Sequence, residues 1–172
     1  MIAGYHKPEN TAVNYVQEYN GSAWSATPNA YTTATFSVVQ TGTATAALAA
    51  GGGTPAPATP TNAFEYDGTS FSATGSLIEA TENAGAGGIQ TAAITMGKGN
   101  NSSPTFVQGY DGTSFSTRPS IATGRRSMAS GKNASTAELT WMAGGYTTTV
   151  VANTEEFTGE TSTIPSKTLT TS

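Results

Sequence analysis

The sequence predicts an all-β protein of repeated units, each built from four short antiparallel strands. Three observations predict it: a repeated phrase, a shared period of aromatic residues and glycines, and a composition rich in Thr, Ser, Ala and Gly. The phrase YDGTSFS stands at 66–72 and returns unchanged at 110–116, with related forms at 18–25 (EYNGSAWS) and 155–162 (EEFTGETS). No window carries apolar residues at helical spacing over three turns, so no helix is expected.

Aromatic residues mark the period of the repeat. Successive members are 47, 44 and 47 residues apart: Tyr19, Tyr66, Tyr110 and Phe157. Glycines lie 15, 15, 13 and 13 residues before them: Gly4, Gly51, Gly97 and Gly144. Two landmarks that share a period of this length, in strand-like sequence, indicate propeller blades or a solenoid.

Residues 89–118 show the plan of one unit. The apolar segment TAAITMG predicts a buried strand that ends on glycine, and TFVQGY predicts the next strand. Asp111-Gly112 predicts a two-residue hairpin turn with positive φ at both positions, and TSFSTR returns as the last strand. Asn20-Gly21 and Asp67-Gly68 predict the same turn in two other units, whereas Thr158-Gly159 does so weakly.

A second aromatic residue follows the first by five positions in three units: Trp24, Phe71 and Phe115. Its fixed place indicates a core between units, because each buried ring contributes about 2–3 kcal/mol. A sugar-stacking surface is the less favoured alternative. Asp67 and Asp111 are interpreted as turn formers, since a calcium loop needs several acidic residues at alternate positions.

The charge and cysteine content exclude several classes of function. Of 172 residues only 10% are charged, the net charge is −4 and there is no cysteine. We therefore expect no nucleic-acid partner and no disulfide or thiolate metal site. MIAGYHKPEN is not a secretory signal, and no apolar run approaches the roughly 20 residues that cross a bilayer.

These repeats resemble the kelch family, whose unit has a glycine pair, then a Tyr, then a Trp or similar aromatic. The matching residues are Gly51-Gly52, Tyr66, Phe71, Gly144-Gly145 and Phe157, with Arg125-Arg126-Ser127 as the basic-Ser opening of a unit. Gly97-Lys98-Gly99 and Gly4-Tyr5 depart from the glycine pair. The simple Thr-, Ser- and Ala-rich repeats are similar to the YDGTSW-type repeats of marine bacteriophage structural proteins. The resemblance implies a kelch-like β-propeller, a virion location and contacts with other virion proteins.

The predicted fold is a single domain over residues 1–172, a propeller of four blades. Its units span 1–28, 29–75, 76–118 and 119–163. Residues 164–172 are expected to pair with the N-terminal strand as a closing strand, which completes the first blade and hides a sheet edge. The alternative is an open array whose missing blades come from another copy.

Variable loops on one face of such a propeller are the candidate contact surface, because exposed aromatic rings beside Asn and Arg can hold a saccharide. The candidate contact residues are Tyr5, His6, Tyr31, Asn100, Asn101, Arg118, Arg125, Arg126 and Tyr146. Ordinary loop residues are the competing interpretation. No catalytic, cofactor or metal residue is expected.

Three functions follow from these observations. The first is a non-enzymatic bacteriophage virion protein, a capsid or tail appendage or decoration that contacts other virion proteins, its own copies or a host-surface glycan. The second is a carbohydrate-binding module of a bacterial surface protein. An enzyme comes last, because kelch-like oxidases use Cys, Tyr and His metal ligands, and this chain has no Cys and one His.

Overall fold

The computed structural model describes residues 2–6, 11–27, 31, 34–54, 60–98, 104–132 and 140–157. The described residues contain no helix, so the all-β prediction is confirmed. This part of the chain forms fourteen strands: β1 (Ile2–His6), β2 (Thr11–Tyr19), β3 (Trp24–Ala26), β4 (Val39–Gly42), β5 (Ala47–Ala50), β6 (Ala63–Tyr66), β7 (Phe71–Ala73), β8 (Gly85–Ile89), β9 (Ala92–Met96), β10 (Val107–Tyr110), β11 (Phe115–Arg118), β12 (Ala129–Lys132), β13 (Thr140–Ala143) and β14 (Thr154–Phe157).

The strands form four antiparallel sheets in chain order. Sheet 1 is β1-β2-β3, sheet 2 is β4-β5-β6-β7, sheet 3 is β8-β9-β10-β11 and sheet 4 is β12-β13-β14. Within each sheet, every strand pairs with its neighbour in sequence, which is an antiparallel up-and-down order. Residues 158–172, including the predicted closing strand at 164–172, lie outside the described residues.

The hairpin between β10 and β11 differs from the predicted two-residue turn. Tyr110 pairs with Phe115, so the loop has four residues, 111–114. Only Gly112 has positive φ, +95°, because the Asp111 side chain forms the rest of the turn: its carboxylate accepts the amides of Thr113 at 2.9 Å and Ser114 at 2.8 Å. These bonds hold the pKa of the Asp111 carboxyl below its ordinary value.

The same turn recurs in the other units. Asp67 accepts the amides of Thr69 and Ser70, and Asn20 accepts those of Ser22 and Ala23 with its side-chain carbonyl. The interpretation of the Asp residues as turn formers agrees with these contacts. A side-chain acceptor followed by glycine is therefore the common chemistry of the repeated phrase.

Consecutive sheets pack face to face through three apolar clusters. Sheets 1 and 2 share Val16, Tyr31, Ala49 and Phe64. Sheets 2 and 3 share a second cluster: Leu48, Ala50, Ala63, Leu77, Ala93, Tyr110 and Phe115. Sheets 3 and 4 share a third: Ile94, Met96, Val107, Met128 and Met142. The first strands of sheets 2, 3 and 4 also lie side by side, since β8 contacts both β4 and β12.

Candidate functional site

The repeated Tyr and its aromatic partner lie opposite each other across the hairpin. The ring centroids are 4.7 Å apart for Tyr66 and Phe71 and 4.8 Å apart for Tyr110 and Phe115. Both tyrosines are buried, and each pair faces the preceding sheet. In sheets 2 and 3 the aromatic pair is thus part of a core between sheets.

Each of these tyrosines also faces a carboxylate of the preceding sheet. The Tyr110 hydroxyl donates to Glu65 Oε1 at 2.8 Å and contacts the Thr74 hydroxyl, whereas the Tyr66 hydroxyl lies beside the Glu18 carboxylate. Burial, reinforced by the carboxylate, raises the pKa of Tyr66 to about 12. Burial likewise raises the pKa of Tyr110 to about 12, with Glu65 adding to the effect.

The same pair is exposed in sheet 1. Tyr19 and Trp24 lie 5.3 Å apart, but 47% of Tyr19 and 51% of Trp24 are accessible to solvent. Tyr15, in the same strand as Tyr19, is 72% exposed. The prediction of a core between units is wrong for this pair, because this side of sheet 1 faces away from sheet 2 and nothing described covers it. Tyr15, Tyr19 and Trp24 form what we call the first end face.

Sheet 4 has a corresponding open side. Trp141 is 45% exposed and pairs across the ladder with Glu156, whose side chain is also exposed. The indole lies against Gly131 of the neighbouring strand, where a Cβ would overlap the ring. Trp141 and Glu156 form what we call the last end face.

The repeat explains why the last end face is unusual. Trp141 lies three residues before the unit's glycine, where sheets 2 and 3 carry Leu48 and Ile94, both almost fully buried. A large indole therefore occupies a position that is core in the interior units. The tryptophan at this repeat position is visible in the sequence, but only the structure shows which sides of the sheets are exposed.

Arg125, predicted as a contact residue, is fully buried. Its guanidinium pairs with Glu155 at 2.6 Å, donates to the Asn153 carbonyl at 2.9 Å and lies 3.2 Å from Met142 Sδ. The prediction of Arg125 as a contact residue is therefore wrong. The buried guanidinium joins the segment before β12 to β14 of the same sheet and is not accessible to a ligand.

Arg126 and Tyr146 do come together at the surface. The Arg126 guanidinium carbon lies 5.0 Å above the Tyr146 ring, and the two residues exchange backbone hydrogen bonds of 3.1 and 2.9 Å. Tyr146 is 37% exposed. This cation–π pair is the only cluster that the described residues form among the predicted contact residues.

The remaining predicted contact residues are dispersed. Tyr31 is buried, its ring edge-on to Phe64 and Phe71 at 5.2 Å, so the expectation of an exposed loop aromatic is wrong. Arg118 lies in β11, where it bonds with Ser116 and packs over Gly109. Tyr5 and His6 lie in β1, opposite Ala12 and Thr11, and Asn100 and Asn101 lie outside the described residues.

An open cavity of about 330 Å³ lies beside the first strands of sheets 2, 3 and 4. Its described lining includes Thr41, Ala86 and Ser130. The polar groups bond with one another: Ser130 Oγ donates to the Ala86 carbonyl and accepts its amide, both at 2.9 Å.

Within the described ranges, no group of three or more His, Cys, Asp or Glu side chains is placed to hold a metal ion. The same part of the chain contains no helix long and apolar enough to cross a membrane. Models of known protein families and the curated proteins give no match to this chain.

Proposed function

We propose that the chain is a non-enzymatic structural protein of a bacteriophage virion, a capsid or tail appendage or decoration at the particle surface. Its role is contact with other virion proteins, with copies of itself or with a host-surface glycan. The observation that carries the proposal is the pair of end faces, where rings that form the core of interior sheets are exposed. Such apolar sites, rimmed by polar residues, are typical of protein interaction surfaces.

The finer architecture belongs to the same proposal. The four sheets are kelch-like propeller blades in an open array, because a ring closed within one chain would bury both end faces, which are exposed. The closing strand predicted at residues 164–172 lies outside the described residues and stays a prediction. The kelch-like glycine and aromatic positions support this assignment, as does the lateral contact of β8 with β4 and β12. First strands lying side by side are what blades around a common axis require.

Mass spectrometry of purified virus particles tests the virion proposal. Particles from a source that carries the gene are banded by density, treated with protease-free nuclease and digested with trypsin. We expect peptides of this chain in the particle band at a fixed ratio to the capsid protein. Peptides confined to the soluble fraction, with none in the band, contradict the proposal.

Carbohydrate binding is the second candidate function, favoured by the exposed rings of Tyr15, Tyr19 and Trp24. Aromatic faces of this kind stack on sugar rings, although here the tilted rings do not form one plane. A glycan array with the parent chain and with Trp24→Ala tests it. Binding that is lost in Trp24→Ala and kept in Tyr146→Ala assigns the site to the first end face.

A further inference from the structure

The two end faces carry complementary halves of a contact that joins interior sheets. At the junction of sheets 2 and 3, the Tyr110 hydroxyl donates to Glu65, and at the junction of sheets 1 and 2 the Tyr66 hydroxyl lies beside the Glu18 carboxylate. In each case a tyrosine faces the glutamate of the preceding sheet. That glutamate directly precedes the tyrosine of its own unit in sequence.

The third junction has neither half of this contact. Gly109 stands at the glutamate position of sheet 3, and Phe157 stands at the tyrosine position of sheet 4. A buried carboxylate without a donor, or a buried hydroxyl without an acceptor, is destabilising. Both groups are present at two junctions and both are absent at the third, so they act as a matched pair.

One tyrosine and one glutamate of the repeat then remain unmatched. Tyr19 belongs to sheet 1, which has no preceding sheet among the described residues, and its hydroxyl donates to the Gly21 carbonyl of its own turn at 2.9 Å. Glu156 belongs to sheet 4, which no described sheet follows, and it is exposed. Tyr19 supplies a hydroxyl donor without a glutamate of a preceding sheet, and Glu156 supplies a carboxylate acceptor without a tyrosine of a following sheet.

The apolar parts of the end faces match in the same way. Leu48 packs in one cluster with Tyr110 and Phe115 of the following sheet. By position in the repeat, Trp141 takes the place of Leu48, while Tyr19 and Trp24 take the places of the two rings. The last end face therefore has the composition of a surface that receives an aromatic pair.

We propose that the first end face of one copy docks on the last end face of a second copy. The Tyr19 hydroxyl of one copy donates to the Glu156 carboxylate of the other, and Trp141 packs on the Tyr19–Trp24 pair. The partner is a second copy because the described residues of a single chain leave both faces exposed at once. Such a head-to-tail contact is heterologous, so repeated copies close into a ring or extend into a filament.

The two tryptophans of the chain report directly on this contact, because Trp24 and Trp141 lie one on each end face. Solution mass by light scattering and iodide quenching of tryptophan emission are measured together on the full chain, from micromolar to near-millimolar concentration. We expect the mass to rise and quenching to fall over the same concentration range.

Tyr19→Phe keeps the ring but removes the hydroxyl donor, and we expect it to weaken association about tenfold.

Mixing two blocked variants tests the head-to-tail geometry. Trp24→Lys blocks the first end face and Glu156→Lys blocks the last, so each variant alone stays a single chain. Mixed in equal amounts, they form a dimer and nothing larger, because only one productive pair of faces remains. Val150→Lys, at an 83% exposed position outside both end faces, is the control and associates like the parent. Circular dichroism confirms that each variant is folded.

Three results overturn the proposal. The first is a single-chain mass at every concentration with both tryptophans open to iodide, which shows that the faces do not dock. The second is a single-chain mass with both tryptophans shielded, which shows that the chain closes on itself. The third is that the parent associates and that both blocked variants associate equally well, which places the contact outside the two end faces. The particle analysis tests the virion proposal by a separate measurement, so failure of the docking proposal and failure of the virion proposal are distinguishable.

Discussion

At the scale of single residues, the buried Arg125 shows why a charge in a loop sequence is weak evidence for a binding site. Its guanidinium is held by Glu155, a backbone carbonyl and a sulfur atom, all within sheet 4 and its connections. Arg suits such a place because its planar fork satisfies several acceptors at once. The residue that opens the unit is thus a structural cation.

Replacing this cation is expected to destabilise the fold strongly. Arg125→Met leaves the partly buried Glu155 without its countercharge, and we expect the free energy of unfolding to fall by about 3 kcal/mol. Urea denaturation at pH 7 measures the change. The neighbouring variant Arg126→Met is the control: it removes a surface cation–π contact and costs about 1 kcal/mol. Equal losses in the two variants contradict a structural role for Arg125.

The burial of Tyr66 and Tyr110, reinforced by the neighbouring glutamates, makes stability depend on alkaline pH. The pKa of Tyr110 is raised from 10 in the unfolded chain to about 12 in the folded one, so the folded state holds the phenol proton more tightly. The resulting stabilisation is complete below pH 10 and is lost as the pH rises to about 12. Tyr66 contributes in the same window, since its pKa is also raised to about 12.

Tyr110→Phe removes one of the two contributions. At pH 8 we expect this variant to be about 1.5 kcal/mol less stable than the parent, because Glu65 loses a donor. Between pH 10 and pH 12 the difference in stability shrinks, because only the parent loses the stabilisation that comes from the protonated Tyr110 hydroxyl. Urea titrations at a series of pH values measure both effects, with the exposed Tyr15→Phe as the control. A difference that stays constant up to pH 12 contradicts the assignment.

At the scale of elements, the sequence predicted the hairpins and their order but not the geometry of their turns. Asp-Gly is compatible with a two-residue turn, and the four-residue loop forms because the Asp111 carboxylate caps two amides within it. Pattern alone does not choose between these loops, since the choice depends on where the side-chain oxygen points. The burial of Tyr31 was equally hidden, because it depends on Phe64 and Phe71, far away in sequence.

The glycines that end the second strand of each unit serve the contact with the next unit. Gly51 and Gly97 have left-handed φ values of +63° and +76°. A Cβ at either position would overlap a carbonyl oxygen of the segment that leads into the following sheet, from Thr81 and Arg125 respectively. Gly144, the equivalent residue of sheet 4, has φ of +64°, but a Cβ there would only touch the Val151 carbonyl oxygen at an ordinary contact distance of 3.5 Å.

These glycines therefore form a matched pair of substitutions. Gly144→Ala places alanine in a left-handed conformation, and we expect a loss of about 1 kcal/mol. Gly97→Ala carries the same strain and also a backbone overlap, which adds about 2 kcal/mol. Thermal or urea unfolding of the two variants measures the difference. Equal losses contradict the steric role of the next unit.

At the scale of the whole molecule, the described sheets form a row in which consecutive sheets share apolar clusters. Stability in such arrays is close to a sum over units and junctions, and the end units have one uncovered side. The sequence predicted the period of the units and the glycine and aromatic residues that recur in them. It did not show that the same aromatic pair is core in sheets 2 and 3 and exposed in sheet 1, because burial is set by the neighbouring sheet and not by the repeat itself.

One repeat position tests this view of the molecule directly. Leu48 and Trp141 are equivalent in the repeat, but Leu48 is buried between sheets 2 and 3 whereas Trp141 lies on the open side of sheet 4. Leu48→Ala removes apolar contacts from a closed core, and we expect the free energy of unfolding to fall by about 3 kcal/mol. Trp141→Ala changes the stability of the single chain by less than about 1 kcal/mol, because little of its contact area belongs to a core.

Urea denaturation at micromolar concentration, where single chains dominate, measures both variants, with Ile94→Ala as a second interior position that should behave like Leu48→Ala. The dependence of the free energy of unfolding on protein concentration distinguishes a core residue from a residue that contacts a second copy. Leu48→Ala is equally destabilised at every concentration, whereas Trp141→Ala loses the added stability that the parent gains when copies associate. A Trp141→Ala variant as unstable as Leu48→Ala in the single chain shows instead that a core closes over sheet 4 within one molecule.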